Sequence, residues 1–203
     1  MKSPFDFIVK PLDGKRYSNI KKIGNVDLIV STSEEDHKFS NRYAEVIDVP
    51  IGYDGHIKSG DILLVHHNVF KFYNDMRGNQ RSGRSYFKDD LFFVDTEQFF
   101  MYYNGDEWNA YDRYCFIKPI PPVDSYIFKP LSEEPLIGEM KYPNDYLKSK
   151  GVMPGDLVTF MPGTEYEFNV DGEKLYRMYD HNISMVIPKL FCDGFKGNKV
   201  KDN

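Results

Sequence analysis

Cysteine is nearly absent from this chain: Cys115 and Cys192 are the only two in 203 residues. Two thiols so far apart do not make a disulfide framework, and they fit a reducing cytoplasm. Long hydrophobic runs are missing as well. The longest, Phe99–Tyr103, has five residues, against the ~20 that a membrane-spanning helix needs. The opening MKSPFDFIVKPL is interrupted by Asp6 and Lys10, which breaks any signal-peptide core. No apolar stretch with a period of 3.6 residues extends far enough for a substantial helix. An excess of positive charge is also lacking: 26 basic against 31 acidic residues leave a net charge of -5, unlike a general nucleic-acid coat. G-x-G-x-x-G, P-loop, G-x-S-x-G and H-E-x-x-H motifs do not occur. The acidic runs EED, DD and EE read as solvated turns. Neither catalysis, nor a cofactor, nor a metal site is therefore expected.

What the chain does have is aromatic residues, 16% of the total, with 16 Phe and 15 Tyr but one Trp. Such side chains suit a pleated, half-buried surface. Short alternating runs such as FDFIVK, AEVIDV, DILLVH and DLVTF are separated by Gly and Pro, the pattern of a small barrel or sandwich. These runs recur in one order. IKSGDILLVHH around Gly60 matches VMPGDLVTFMP around Gly155, and DFIVKPL (Asp6–Leu12) matches YCFIKPI (Tyr114–Ile120). YAEVIDVP (Tyr43–Pro50) pairs with IGEMKYPN (Ile137–Asn144), VFKFYND (Val69–Asp75) with EYEFNVD (Glu165–Asp171), and DLFFVDTEQFFM (Asp90–Met101) with KLYRMYDHNISM (Lys174–Met185). Repetition in a fixed order implies a duplicated unit. The expectation is an all-β chain of two tandem β-barrels, residues 1–105 and 106–188, followed by a polar tail, 189–203. The boundary falls at the Asn-Gly-Asp turn near Gly105.

Each half resembles the GroES family of co-chaperonins. The second half carries VMPGDLVTFMP, then YEFNVDGEKLYRMYDHNISMVI, similar to the family's C-terminal part. The first half carries KKIGNVDLIVSTSEEDHKFSNRYAEVIDVP, similar to its N-terminal part. The resemblance covers roughly residues 5–102 and 111–188. It implies two GroES-like barrels and a co-chaperonin that caps a GroEL-like chaperonin ring, encloses unfolded clients and assists ATP-dependent folding without hydrolysing ATP itself. It also implies a cytoplasmic homo-oligomer, a heptamer by analogy, and the divergence and doubling fit a phage-encoded member. By position, the family's mobile loop falls on residues 15–33, with hinges at Gly14 and Gly24 and the chaperonin-binding tripeptide at Leu28, Ile29 and Val30. The residues suit that role. Lys15, Arg16, Lys21 and Lys22 leave little apolar surface to fold the loop alone. Each fully buried Leu, Ile or Val then contributes about 1.5–3 kcal/mol, against about 1 kcal/mol per residue ordered. One loop binds weakly, and several on one ring bind together.

The chain also departs from the family. Gly24-Asn25 stands where paired glycines are usual. In the second half only Pro121 and Pro122 separate CFIKPI from VDSYIF (Val123–Phe128), so that half lacks the long loop. If only first halves dock, seven chains are needed per seven-site ring, and the second halves form another tier. Two further features point elsewhere. Arg77, Arg81 and Arg84 lie in a Gly/Ser-rich loop flanked by Tyr86 and Phe87. The loop reads first as a solvated hairpin tip and second as a partner or nucleic-acid contact. His66 and His67 end the run DILLVHH, and neighbours on a strand point to opposite faces, which disfavours a shared metal. The alternative function is a GroES-like barrel repurposed as a virion assembly or nucleic-acid-binding module.

Overall fold

The computed structural model describes residues 2–17, 20–23, 26–29, 40–121 and 133–189. The chain divides into two compact units, Met1–Trp108 and Asn109–Asn203. Strands of the first are β1 (Phe7–Pro11), β2 (Ile20–Ile23), β3 (Val26–Ile29), β4 (Tyr43–Asp48), β5 (Ile62–Val65), β6 (Phe72–Asn74), β7 (Gln80–Ser82), β8 (Tyr86–Lys88), β9 (Leu91–Val94) and β10 (Phe99–Tyr103), and β11 (Trp108–Ala110) crosses the boundary. The second contains β12 (Tyr114–Pro119), β13 (Ile137–Tyr142), a single helical turn α1 (Asp145–Ser149), β14 (Leu157–Phe160), β15 (Tyr166–Val170), β16 (Glu173–Tyr179) and β17 (Ile183–Ile187). The chain is all-β apart from such short turns. No helix among the described residues is long and apolar enough to cross a membrane.

The two large sheets repeat one plan. Their orders are β11-β10-β5-β4-β1-β9-β8 and β17-β14-β13-β12-β16-β15. Apart from β11, each strand of unit 1's large sheet has a counterpart in the same place in unit 2's large sheet. Registers agree too. Val9 faces Val46 and Pro11 faces Ala44, with a bulge between Ile8 and Val9. Ile117 faces Met140 and Pro119 faces Gly138, with a bulge between Phe116 and Ile117. The recurring Gly-Asp also has one structural role. Gly60 (φ +94°) and Gly155 (φ +95°) occupy left-handed conformations that favour glycine. The following carboxylate accepts the amide of Lys58 or Met153, at 2.8 Å in both units. Gly60 N–H and Gly155 N–H donate to Val46 O and Met140 O, again at 2.8 Å.

The inward faces are built by alternation. Phe7, Val9, Ala44, Val46, Leu63, Val65, Phe92 and Val94 are buried in unit 1. Cys115, Ile117, Met140, Val158, Phe160 and Met178 form the matching cluster in unit 2, closed by Leu147 from α1.

Two expectations are corrected. The sheets are open: the end strands are β8 and β11 in one and β15 and β17 in the other, and no ladder joins them into a closed barrel. Alternation specifies faces, whereas closure depends on tilt and shear summed over all strands, which short motifs do not encode. The match of Val69–Asp75 to Glu165–Asp171 also fails. β15 lies beside β16, a place that β8 holds in unit 1. Val69 and Phe70 are buried, and β6 pairs with β7 in a separate two-stranded sheet. The shared aromatic alternation was too generic to identify a strand's neighbour.

Candidate functional site

In each unit the chain makes an excursion between the first and second repeated strands. In unit 1 it runs between β1 and β4 and includes β2 and β3. Among the described residues these pair with each other as a two-stranded sheet, Ile20 with Ile29, Lys21 with Leu28, Lys22 with Asp27 and Ile23 with Val26. The β-branched residues at both strand ends favour this ladder, and Gly24-Asn25 is a dipeptide suited to two-residue hairpins. Leu28 and Ile29 occupy consecutive positions in β3. Val30 and Gly24 lie outside the described residues. Gly14, at φ +66°, follows Asp13 at φ +58°. Two left-handed residues in succession turn the chain away from the end of β1.

The base of this excursion is tied down. The Asn41 side-chain amide donates to Leu12 O at 3.0 Å and Lys15 O at 2.7 Å, while its oxygen accepts from Tyr43 N at 2.9 Å. Asn41 N–H donates to Arg16 O. Tyr17 and Ser40 form a bridge, and the Ser40 hydroxyl donates to His67 O at 3.0 Å. Arg16 donates to Ser82 Oγ at 3.1 Å and pairs with Asp90 at 2.9 Å. Its guanidinium also lies over the Tyr86 and Phe92 rings, 5.0 and 4.9 Å from their centroids. Sequence reasoning counted Arg16 as a loop cation. Its partners lie more than sixty residues away, so nothing local could reveal them.

Unit 2 ties the end of its excursion differently. Glu133 accepts from Lys174 Nζ at 2.6 Å and from the Tyr176 hydroxyl. Burial pushes the Glu133 carboxyl up, but Lys174 and Tyr176 outweigh it and hold it below its ordinary range. Lys174 is raised in turn, chiefly by Glu133. The segment Val123–Phe128 lies outside the described residues.

The three arginines are distributed along the β6–β8 segment. Arg77 lies in the turn between β6 and β7, Arg81 on β7 and Arg84 between β7 and β8. Arg81 pairs with Asp75 at 3.2 Å. Asp75 also accepts the amides of Arg77 and Asn79, each at 2.9 Å. The Asn79 amide, then that of Arg77 and the Arg81 side chain, hold the Asp75 carboxyl below its ordinary range. The turn therefore supplies its own anion to one of the three cations.

The histidine premise is also revised. β5 ends at Val65, so His66 and His67 lie past the strand, and their rings approach to 4.1 Å between centroids. His66 Nδ1 accepts the Asn68 amide at 3.2 Å. Among the described residues, no group of three or more His, Cys, Asp or Glu is placed to hold a metal ion.

No protein-family model matches this chain, and no curated protein matches it. The candidate site thus rests on the hairpin, its tied base and the motif resemblance. It comprises a two-stranded ribbon and a hydrogen-bonded base.

Proposed function

We propose that the chain is a co-chaperonin-like docking protein that acts in the cytoplasm through the β2–β3 hairpin. The observation that carries this reading is the hairpin's separate two-stranded ladder, bearing Leu28 and Ile29, between Gly14 and the Asn41 clamp. A ribbon whose strand ladder, among the described residues, is its own can rearrange on a partner without breaking a larger sheet, while a tied base delivers it to one place. The GroES-like order of motifs makes a GroEL-like ring the partner. Two or three buried aliphatic residues contribute about 1.5–3 kcal/mol each. Several copies engaging one ring multiply that modest affinity.

The test is retention of the whole protein by a GroEL-like chaperonin with ATP or ADP. Wild type is expected to co-elute in a nucleotide-dependent way. Leu28→Asp or Ile29→Asp is expected to reduce retention more than tenfold, and joint replacement of Arg77, Arg81 and Arg84 by Ala to leave it unchanged. Absence of nucleotide-dependent retention of the wild type would overturn the reading. A second reading, an assembly module, is favoured by the apolar edge of unit 2. It predicts self-association without any chaperonin.

A further inference from the structure

Strand β17 ends the sheet of unit 2, with β14 as its strand partner among the described residues. Ser184, Met185, Val186 and Ile187 are all exposed, Met185 by 62% and Ile187 by 41%. The repeat makes this unusual. Its counterpart β10 has β5 on one side and β11 on the other, and Met101, the counterpart of Met185, is 0% exposed. Exposed apolar edge strands are templates for further pairing, and proteins generally blunt them with charge or proline. β17 reads ISMVI and contains neither.

The two described residues that follow β17 differ from those that follow β10. After β10, the Asn104 side chain accepts the amides of Asp106 and Glu107 at 3.1 and 3.0 Å, and Gly105 adopts φ +97°. That turn brings back β11, where Trp108 packs on Tyr43 and Tyr103. In unit 2, Pro188 takes the place of Asn104 and has no amide proton or side-chain acceptor to build the turn. The next amide, Lys189 N–H, donates instead to Asp156 Oδ1 at 2.9 Å.

We propose that β17 is a dimerisation strand, pairing antiparallel with β17 of a second copy about a two-fold axis at Met185. Charge favours a second copy. Self-pairing of β17 sets neutral residues against neutral ones, whereas β15 carries Glu167 and β8 carries Lys88, which two-fold pairing would bring towards themselves. Met185 and Ile187 stand opposite Thr159 and Leu157, and Ile137 also stands opposite Thr159. Met185 and Ile187 thus share one face with Leu157 and Ile137, although Thr159 lies among them and Glu139 stands opposite Leu157. A two-fold contact is isologous and closes at two chains. This inference does not rest on the chaperonin-docking reading, and a pair closed at two chains departs from the sevenfold assembly that the motif resemblance implies.

The test is the mass of the full chain in solution by light scattering and sedimentation across concentration. A dimer, twice 23.8 kDa, is expected. A monomer up to several hundred micromolar overturns the proposal, whether the edge is then covered by the chain itself or by another protein. Met185→Glu and Met185→Lys are each expected to be monomeric with wild-type circular dichroism, and their equimolar mixture to restore the dimer. If the wild type dimerises but the mixture stays monomeric, the contact is not the two-fold pairing of β17 and the proposal fails.

Discussion

Cys115 shows how burial alone decides the chemistry of a residue. It lies in the core of unit 2 among Ile117, Met140 and Met178. Burial pushes its thiol up to about 12 from an ordinary 9.0, and the Asp180 carboxylate acts in the same direction. Tyr114, its neighbour in β12, is also raised to about 12, first by burial and then by its hydrogen bond with Tyr179. The sign follows from proton binding. Between about pH 9 and pH 12 the unfolded chain has released the Cys115 proton and the folded chain has not. Stability is therefore independent of this group below pH 9 and falls as pH rises above it, by at most about 1.4 kcal/mol per pH unit. Urea unfolding followed by circular dichroism at pH 8 to 10.5 is expected to show this decline. A Cys115→Ala variant is expected to show a shallower one, and equal slopes would remove the thiol as its source. In a Cys192→Ser background, Cys115 is expected to resist thiol reagents at pH 8 until the protein unfolds.

At the scale of elements, Asn41 ties the base of the segment that carries the β2–β3 hairpin. One side chain serves three backbone groups, Leu12 O, Lys15 O and Tyr43 N. Asn41→Ala leaves all three without that partner and is expected to cost about 2 kcal/mol, at the level of an unmet buried polar group. Hydrogen exchange checks this. Protection of the Asn41 and Tyr43 amides is expected to fall well before that of Phe7 or Val9, and an unaltered pattern would show that the clamp carries little. The Gly-Asp turns were legible in the sequence because their cause is local, whereas the β2–β3 ladder falls where the sequence reads as a loop. A left-handed glycine and a carboxylate three residues from its amide sit within one turn. The clamp was not legible because Arg16 depends on Asp90 and Ser82, and no spacing rule links residues so far apart. The His66–His67 pair was misplaced for a smaller reason: the strand ends with the apolar run at Val65, two residues before the end of DILLVHH. The bare edge at β17 becomes visible only when its accessibility is set beside that of β10.

For the molecule as a whole, the two units are one plan with exchanged volumes. In unit 1, Val9 accompanies Ala44; in unit 2 the same positions hold Ile117 and Gly138, and all four are buried. A methyl lost at one position is regained as a methylene at the other. A Cβ on Gly138 would overlap Ile117 Cγ2 and come within 2.8 Å of Lys118 O. Gly138→Ala is therefore expected to destabilise unit 2 by about 1–3 kcal/mol, the usual cost of overpacking. Adding Ile117→Val removes the Cδ1 that seats the side chain and lets its methyl groups turn aside. The double variant is expected to recover part of the loss, and the contact to Lys118 O keeps recovery incomplete. Residues in direct contact should couple in this way, whereas well-separated sites should add. Hydrogen exchange again gives the readout. Gly138→Ala should lower protection along β12, β13, β14 and β16 and leave β1, β4 and β5 as in the wild type. Equal loss in both units would mean that the duplicated chain unfolds as one cooperative body, and that the two cores, though built separately, are not separately stable.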